Sequence, residues 1–516
     1  MKKIFKYSFV LLGMMALAAC SGDKLETQPT DSVSGTTLFS DAKAAMVPLN
    51  GLYRSMYTSG WSTTGNTHQC FGVIAYALAS EVMGDDFIMG AQGSGWFWFD
   101  AAYNVKGRAH QSTWRSYDLW YAHYTWIANA NYVIAAEETM GGSTDDIHYV
   151  IGQAYAVRAY SYFQLAQWFS RTYKGHENEK CVPLYTEPTF KTTTGQPRAT
   201  VAEVYAQIDS DLAKAISLLE GIPQQDKTHM SSAVALGIAS RVALVKEDWT
   251  NALKYADAAI KASGCSVQPV AAITGMNSVG YSDVMWGAKI KSDQAGMYAS
   301  YFAHMDPAVT YAKRAPKQIS KWLYAKMNDT DARRAWWNPA NSMNTFDDSG
   351  NVTSGYQQEK FCFSNVNTWE GDYIWMRVEE MYFNAAEAAC RLGDEAAAKN
   401  YLMSVMSQRD PGYTCDKTGT ALGALTTDET GSLLEEILIQ KRIELWGEFG
   451  RTFDIRRLKQ GFRRTAEQGW PSGLQMPKRP TDNPENYMWV LTIPQAEFDG
   501  NINMTIDNDQ NPAGDE

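Results

Sequence analysis

Three stretches of this chain carry the residue types that hold a sugar. A sugar ring presents an apolar C–H face and a hydroxyl rim, so its site needs an exposed aromatic ring to stack on and nearby Asp, Asn or Arg to bond the rim. The first stretch sets Asp85 and Asp86 ahead of a glycine-rich piece that ends in four aromatics, Trp96-Phe97-Trp98-Phe99. In an extended backbone Trp96 and Trp98 point to one side and Phe97 and Phe99 to the other, so one pair can anchor in the core while the other meets ligand. The second is Trp336-Trp337, flanked by Arg333, Arg334 and Asn338; the third, with less around it, is Tyr281 and Trp286. Each stack contributes about 1 kcal/mol, so several rings or a repeating ligand are needed for useful affinity. The competing use of any one of these tryptophans is core packing.

Catalysis finds little support. A glycosidase needs two carboxyl groups roughly 5 to 9.5 Å apart across one bond. The acidic pairs here (Asp85-Asp86, Asp145-Asp146, Glu379-Glu380, Glu435-Glu436) are sequence neighbours, which on a helix point about 100° apart. The seven histidines contain no pair at helical zinc spacing. Gly93-Ser94-Gly95 lacks the glycine spacing of a nucleophile elbow, and no phosphate loop or dinucleotide fingerprint occurs. The reading is of a non-enzyme that needs no cofactor, with a structural calcium ion left open.

A dense set of charges near the C-terminus, Arg442, Glu444, Glu448, Arg451, Asp454 and Arg456, reads as an ion-pair network that locks a helix end to the turn after it, Glu444 and Glu448 sharing a face at i and i+4.

The elements that must position these groups are helical. Apolar residues recur at three- and four-residue steps over 40–56, 117–138 and 147–169. Thr200 to Glu203 forms a capping box that opens a helix running to Leu219. Hairpins are expected over 232–262, turning at Lys246-Glu247-Asp248, and over 373–408, turning at Gly393-Asp394, with alanines at packing positions in the manner of tetratricopeptide repeats. Residues 264–370 carry no long helical stripe and are rich in Gly, Asn, Ser, Thr and aromatics, which marks a functional surface within a helical protein. The periodic parts therefore read as helical hairpins, and 264–370 as an irregular, loop-rich insertion.

Composition narrows the partners. The net charge of −11 repels phosphate backbones, so nucleic acid is excluded as a partner. Aromatics make up 12% of the chain, with 17 Trp and 28 Tyr, so either the core or a surface is built from rings. The first 19 residues combine Lys2, Lys3 and Lys6 with a short apolar run and small residues, a secretory signal whose apolar run is too short to span a bilayer. It leads into Cys20, followed by a polar tether over 20–39 and the folded part over 40–516. The other six cysteines show no CxxC pairing and read as small buried hydrophobes.

Leu17-Ala18-Ala19-Cys20 resembles a bacterial lipobox, which would make Cys20 the acylated first residue. Arg442-Ile443-Glu444-Leu445 with Glu448, Gly450, Arg451 and Asp454-Ile455-Arg456-Arg457, then Ile493-Pro494-Gln495 and Gln510-Asn511-Pro512, resembles the C-terminal signature of the SusD/RagB family of Bacteroidetes outer-membrane lipoproteins. The likeness extends through the 154–169 helix, the Asp248-Trp249 hairpin and Arg377 to Ala388 in the same order. It implies an all-α, SusD-like fold in which tetratricopeptide-like helical hairpins support a loop-rich, irregular lobe, with an N-terminal hairpin part (40–263), the 264–370 insertion and a C-terminal part (371–516). It also implies an anchored, cell-surface protein that captures a glycan for a SusC-like TonB-dependent barrel transporter. A binder of peptides or another non-sugar nutrient is the alternative, and a surface glycoside hydrolase the more distant one.

Overall fold

The structure, a computed structural model, describes residues 38–59, 61, 66–103, 113–293, 300–339, 345–346, 352–353, 355–448 and 450–513. Cys20, the signal and most of the tether lie outside the described residues.

The chain is mostly helical. Helix α1 (Ala42–Ser55) starts at Asp41, whose side chain accepts from the Lys43 and Ala44 N–H groups, and is followed by α2 (Val73–Met83) and the single turn α3 (Trp98–Ala101). Long helices α4 (Trp114–Ile134) and α5 (Thr144–Phe169) form an antiparallel pair, and α6 (Val201–Leu219) packs on the far side of α5. The capping box at Thr200 and Glu203 is complete, each side chain satisfying the other's backbone donor.

Two further hairpins, α7 (Ser232–Val245) with α8 (Trp249–Ser263) and, much later, α11 (Val378–Arg391) with α12 (Glu395–Met406), stack through α8 against α11. Their turns are equivalent. Asp248 (φ −87°, ψ 77°) and Asp394 (φ −88°, ψ 76°) each cap the second helix, accepting from Asn251 N–H at 3.2 Å and Ala397 N–H at 3.0 Å. The residue before each cap is left-handed, Gly393 at φ 84° and Glu247 at φ 57°. Tetratricopeptide-like hairpins are thus built twice from the same turn.

Between them the chain leaves the helical stack and returns. It forms β2 (Val284–Ala288), short helices α9 (Tyr301–Met305) and α10 (Thr310–Arg314), β3 (Lys317–Ile319), β4 (Trp337–Asn338) and β5 (Gln357–Gln358). Strand β1 (Phe87–Met89), which follows α2, joins a small antiparallel sheet in the order β1-β3-β5-β4. Residues 373–392, expected as one helix, divide into strand β6 (Tyr373–Arg377) and α11. β6 pairs antiparallel with β2, Tyr373 opposite Ala288 and Arg377 opposite Val284, and all five of its residues are buried. A tertiary partner overrides the helical reading of an aromatic, β-branched run.

The C-terminal part supplies α13 (Leu433–Glu444), α14 (Arg451–Arg457) and the short α15 (Gln495–Gly500). Ser432 caps α13, but the Glu435 side chain turns to the Thr430 and Gly431 N–H groups, so this capping box is half made. No helix among the described residues is long and apolar enough to cross a membrane. No disulfide joins any of the six cysteines among the described residues; Cys70, Cys181 and Cys390 are buried.

Candidate functional site

The aromatic segment after β1 is not extended. Gly95 and Phe97 both take positive φ, and Trp98 opens the one-turn α3. Phe97 is the anchor. Its N–H donates to Gln69 Oε1 at 2.6 Å, and its fully buried ring meets Phe71 and His304 edge-on. Below it Arg115 forms a bidentate pair with Asp100 (3.1 and 3.0 Å) and donates to Gln69 O at 2.9 Å, tying α4 to both loops. Held this way, Trp96 and Trp98 lie half-buried at the surface, and Phe99, expected to share the side of Phe97, is 44% exposed.

Trp96 lies parallel to the His68 imidazole, centroids 4.6 Å apart and planes 8° apart. His68 Nδ1 shares a hydrogen bond of 2.7 Å with the Tyr311 hydroxyl, and the His304 ring bonds His68 O at 2.8 Å. Burial pushes His304 down to about 3, so the histidine under the shelf is neutral. Trp96 Nε1 is buried with no partner among the described residues. The arrangement is a ring stacked on His68 beside Tyr311, suited to stacking and hydrogen bonding rather than to proton transfer.

Most other candidates are elsewhere and buried. Asp85 and Asp86 face inward. Asp85 Oδ1 accepts from Arg451 Nε at 2.9 Å, and Asp86 takes both Arg442 Nε (2.8 Å) and Nη2 (2.6 Å). Burial alone would raise the Asp85 carboxyl, but the Arg451 and Arg442 guanidiniums hold it well below the usual range. These aspartates join β1 to the C-terminal helices and meet no ligand. Trp286 is fully buried between Tyr160 and Trp375, and Trp336 and Trp337 are buried beside Lys360 and Trp446. Arg333, 0% exposed, is paired with Asp331 at 2.7 Å. A desolvated ring or guanidinium with internal partners cannot reach a ligand, so these assignments are corrected to structural ones.

Two candidates keep some surface without joining the shelf's hydrogen bonds. Tyr281 is half-buried and its hydroxyl donates to Thr274 O at 2.6 Å; Asn338 is exposed on edge strand β4, its amide 3.3 Å from Glu359 Oε1. Sequence reasoning missed His68 and Tyr311. The signal available was a polar loop, 59–70, ahead of the aromatic run, but nothing local pairs His68 with a residue 243 positions away.

The acidic and basic residues of the C-terminus form a buried hub. Glu444 accepts from Arg409 (2.8 Å to each oxygen) and Arg377 (3.1 Å), with Arg333 at 3.5 Å; Arg377 also binds Glu448 at 2.6 Å and Asp283 at 3.1 Å. Arg457 spans Glu387 and Asp454, all at 2.6 to 2.7 Å. Burial pushes Glu379 up to about 8, whereas the three arginines hold Glu444, equally buried, well below the usual range. No group of three or more His, Cys, Asp or Glu among the described residues is arranged to hold a metal ion.

Two family profiles match the chain: one described as "Starch-binding associating with outer membrane" over residues 71–244, the other as the SusD family over 281–513. The chain belongs to the SusD/RagB family. Solved SusD structures share its fold. A SusD-like carbohydrate-binding protein of Bacteroides vulgatus is 23% identical with a TM-score of 0.76, the match covering 90% of this chain and 98% of that one. A SusD superfamily protein of Bacteroides thetaiotaomicron is 20% identical (TM-score 0.71, 92% and 100%), and one of Bacteroides fragilis is 20% identical (TM-score 0.69, 91% and 100%). No curated protein matches. The SusD/RagB family consists of outer-membrane-associated, nutrient-binding proteins, which agrees with a site made for contact rather than turnover.

Proposed function

We propose that this protein is a lipid-anchored, outward-facing subunit of an outer-membrane uptake complex that captures a glycan on the Trp96 shelf and passes it to a SusC-like TonB-dependent barrel transporter, without catalysing a reaction and without a cofactor. The observation that carries the reading is the Trp96–His68 stack: a half-buried tryptophan ring laid on an imidazole that is itself bonded to Tyr311, in a chain whose family profile is described as starch-binding. Asp100, the acid nearest in sequence to these rings, is neutralised by Arg115, which leaves it no role as a general acid.

Isothermal titration of the purified protein against oligosaccharide and peptide panels tests the ligand class. Heat with glycans, lost in Trp96→Ala, is expected; heat with peptides alone would transfer the reading to a peptide importer. The anchor is tested separately: Cys20→Ala should release the protein from the membrane or block its maturation. Co-purification of a barrel protein with the tagged chain tests the partner.

A further inference from the structure

A second cleft, of about 400 Å³, lies on the other side of α4 between that helix, the 185–195 loop and α15. Six aromatic side chains line it: Tyr117, Trp120, Tyr121 and Tyr124 from α4, and Tyr185 and Phe190 from the loop. Tyr117 and Tyr121 stack at 5.5 Å, and Trp120 leans on Tyr124 at 4.9 Å. The loop closes onto α15 because residue 195 is glycine; a Cβ there would sit 2.3 Å from Asn501 Oδ1. Two of the eight exposed large apolar side chains among the described residues, Tyr121 (47% exposed) and Phe190 (66%), line it. Clustered exposure of this kind marks a contact surface.

The polar groups of the cleft decide what it takes. Most are tied into its own walls. The Asn131 amide bonds Tyr185 O, Glu187 O and Arg158; Tyr124 donates to Pro183 O; Tyr185 accepts from Gln196 N–H. Those groups are not free to meet a ring of sugar hydroxyls. The one charge in the lining is Glu497, whose oxygens accept from Trp120 Nε1 at 3.1 Å and Asn501 Nδ2 at 2.7 Å, and which has no ion-pair partner among the described residues. A carboxylate has about four acceptor positions, so two are left. No Lys, Arg or His lines the cleft. Ring faces attract cations through their quadrupole, and an unpaired carboxylate at the end of a ring-lined slot adds a charge-assisted hydrogen bond.

We infer that this cleft binds a cationic side chain, arginine or lysine, presented on an extended peptide segment of a partner protein, with Glu497 taking the charge and the Tyr121 and Phe190 rings covering the stem. The net charge of −11 favours such a partner's approach. The inference is independent of the glycan reading, since the Trp96 shelf shares no residue with this cleft.

The test is titration of the whole mature protein with N-acetyl-Ala-Arg-Ala-amide and its citrulline counterpart, which keeps the shape and loses the charge. The arginine peptide should bind at least tenfold tighter than the citrulline one, and Glu497→Gln should abolish that preference. Tyr121→Ala and Phe190→Ala, at exposed positions that leave the fold intact, should each weaken arginine binding severalfold, while Trp96→Ala should not change it. Equal binding of the two peptides, binding of neither, or an oligosaccharide that competes for the cleft and is lost in Tyr121→Ala would overturn the inference.

Discussion

The Glu444 hub and the Trp96 shelf both gather residues distant in sequence, but the first buries its charges in ion pairs and the second keeps an aromatic ring partly at the surface. In the hub nearly every charge has two or three partners and no solvent; Glu444 alone meets Arg377, Arg409 and Arg333. On the shelf Trp96 is half-buried, its ring stacked on His68. Conspicuous charge is thus a poor guide to function in this protein, because a buried charge must be neutralised to be tolerated. An aromatic ring that keeps some surface is the better guide, since a ligand can stack on it.

The sharpest way to break this contrast is Glu444→Gln. Leaving three buried guanidiniums short of a charge should cost about 3–5 kcal/mol of stability, read by urea unfolding, with glycan affinity unchanged in the fraction that folds. A small stability effect with lost binding would reverse the roles of the two regions. Acid should act in the same direction. Glu444 and Asp454 are held below their usual range, so their contribution is present above about pH 4.5 and is lost as pH falls toward their folded values.

Asp118, beneath the shelf on α4, should show the opposite sign. Burial pushes its carboxyl up to about 7 against the pull of Arg115, 3.9 Å away. A raised carboxyl favours folding at low pH, and that contribution is lost as pH rises from about 4 through about 7. Asp118→Asn should therefore gain on the parent by on the order of 2–4 kcal/mol between pH 4 and pH 8, seen in paired melting curves; parallel curves would count against an unevenly paired carboxylate here.

On the shelf, Trp96→Ala should weaken glycan binding roughly tenfold or less, the loss of about 1 kcal/mol, and cost about 1–2 kcal/mol of stability from its half-buried face. A melting-temperature collapse without a binding defect would move Trp96 to the core. The smallest effect tests the repeated turn: Glu247→Gly should stabilise by about 0.5–1 kcal/mol, because Glu247 holds the left-handed conformation that Gly393 supplies in the equivalent hairpin.

Much of the fold could be read directly. Caps at Thr200, Asp248, Asp394 and Ser432 mark helix starts through hydrogen bonds that span three residues. The motifs at Ile493 and Gln510 predict one another in space as well: Gln510 accepts from Ile493 N–H at 2.7 Å and donates back to its carbonyl at 2.8 Å. The site was legible only in part. Trp96 and Trp98 keep surface, but Asp85, Asp86, Trp286, Arg333, Trp336 and Trp337 are structural. The aromatics of α4 that form the second cleft carry no distinguishing mark in the sequence, since rings at helical spacing look the same on a buried face as on an open one.

What the amino-acid order determined by itself is what local chemistry controls: helices, their caps, the repeated turn and the motifs that place the chain in its family. What only the tertiary structure decided is which rings and charges are used up internally. Asp86 meets Arg442 across 356 positions, and Trp286 lies between Tyr160 and Trp375. Burial is a property of partners brought from far along the chain, and composition shows that a residue needs a partner without showing which one reaches it.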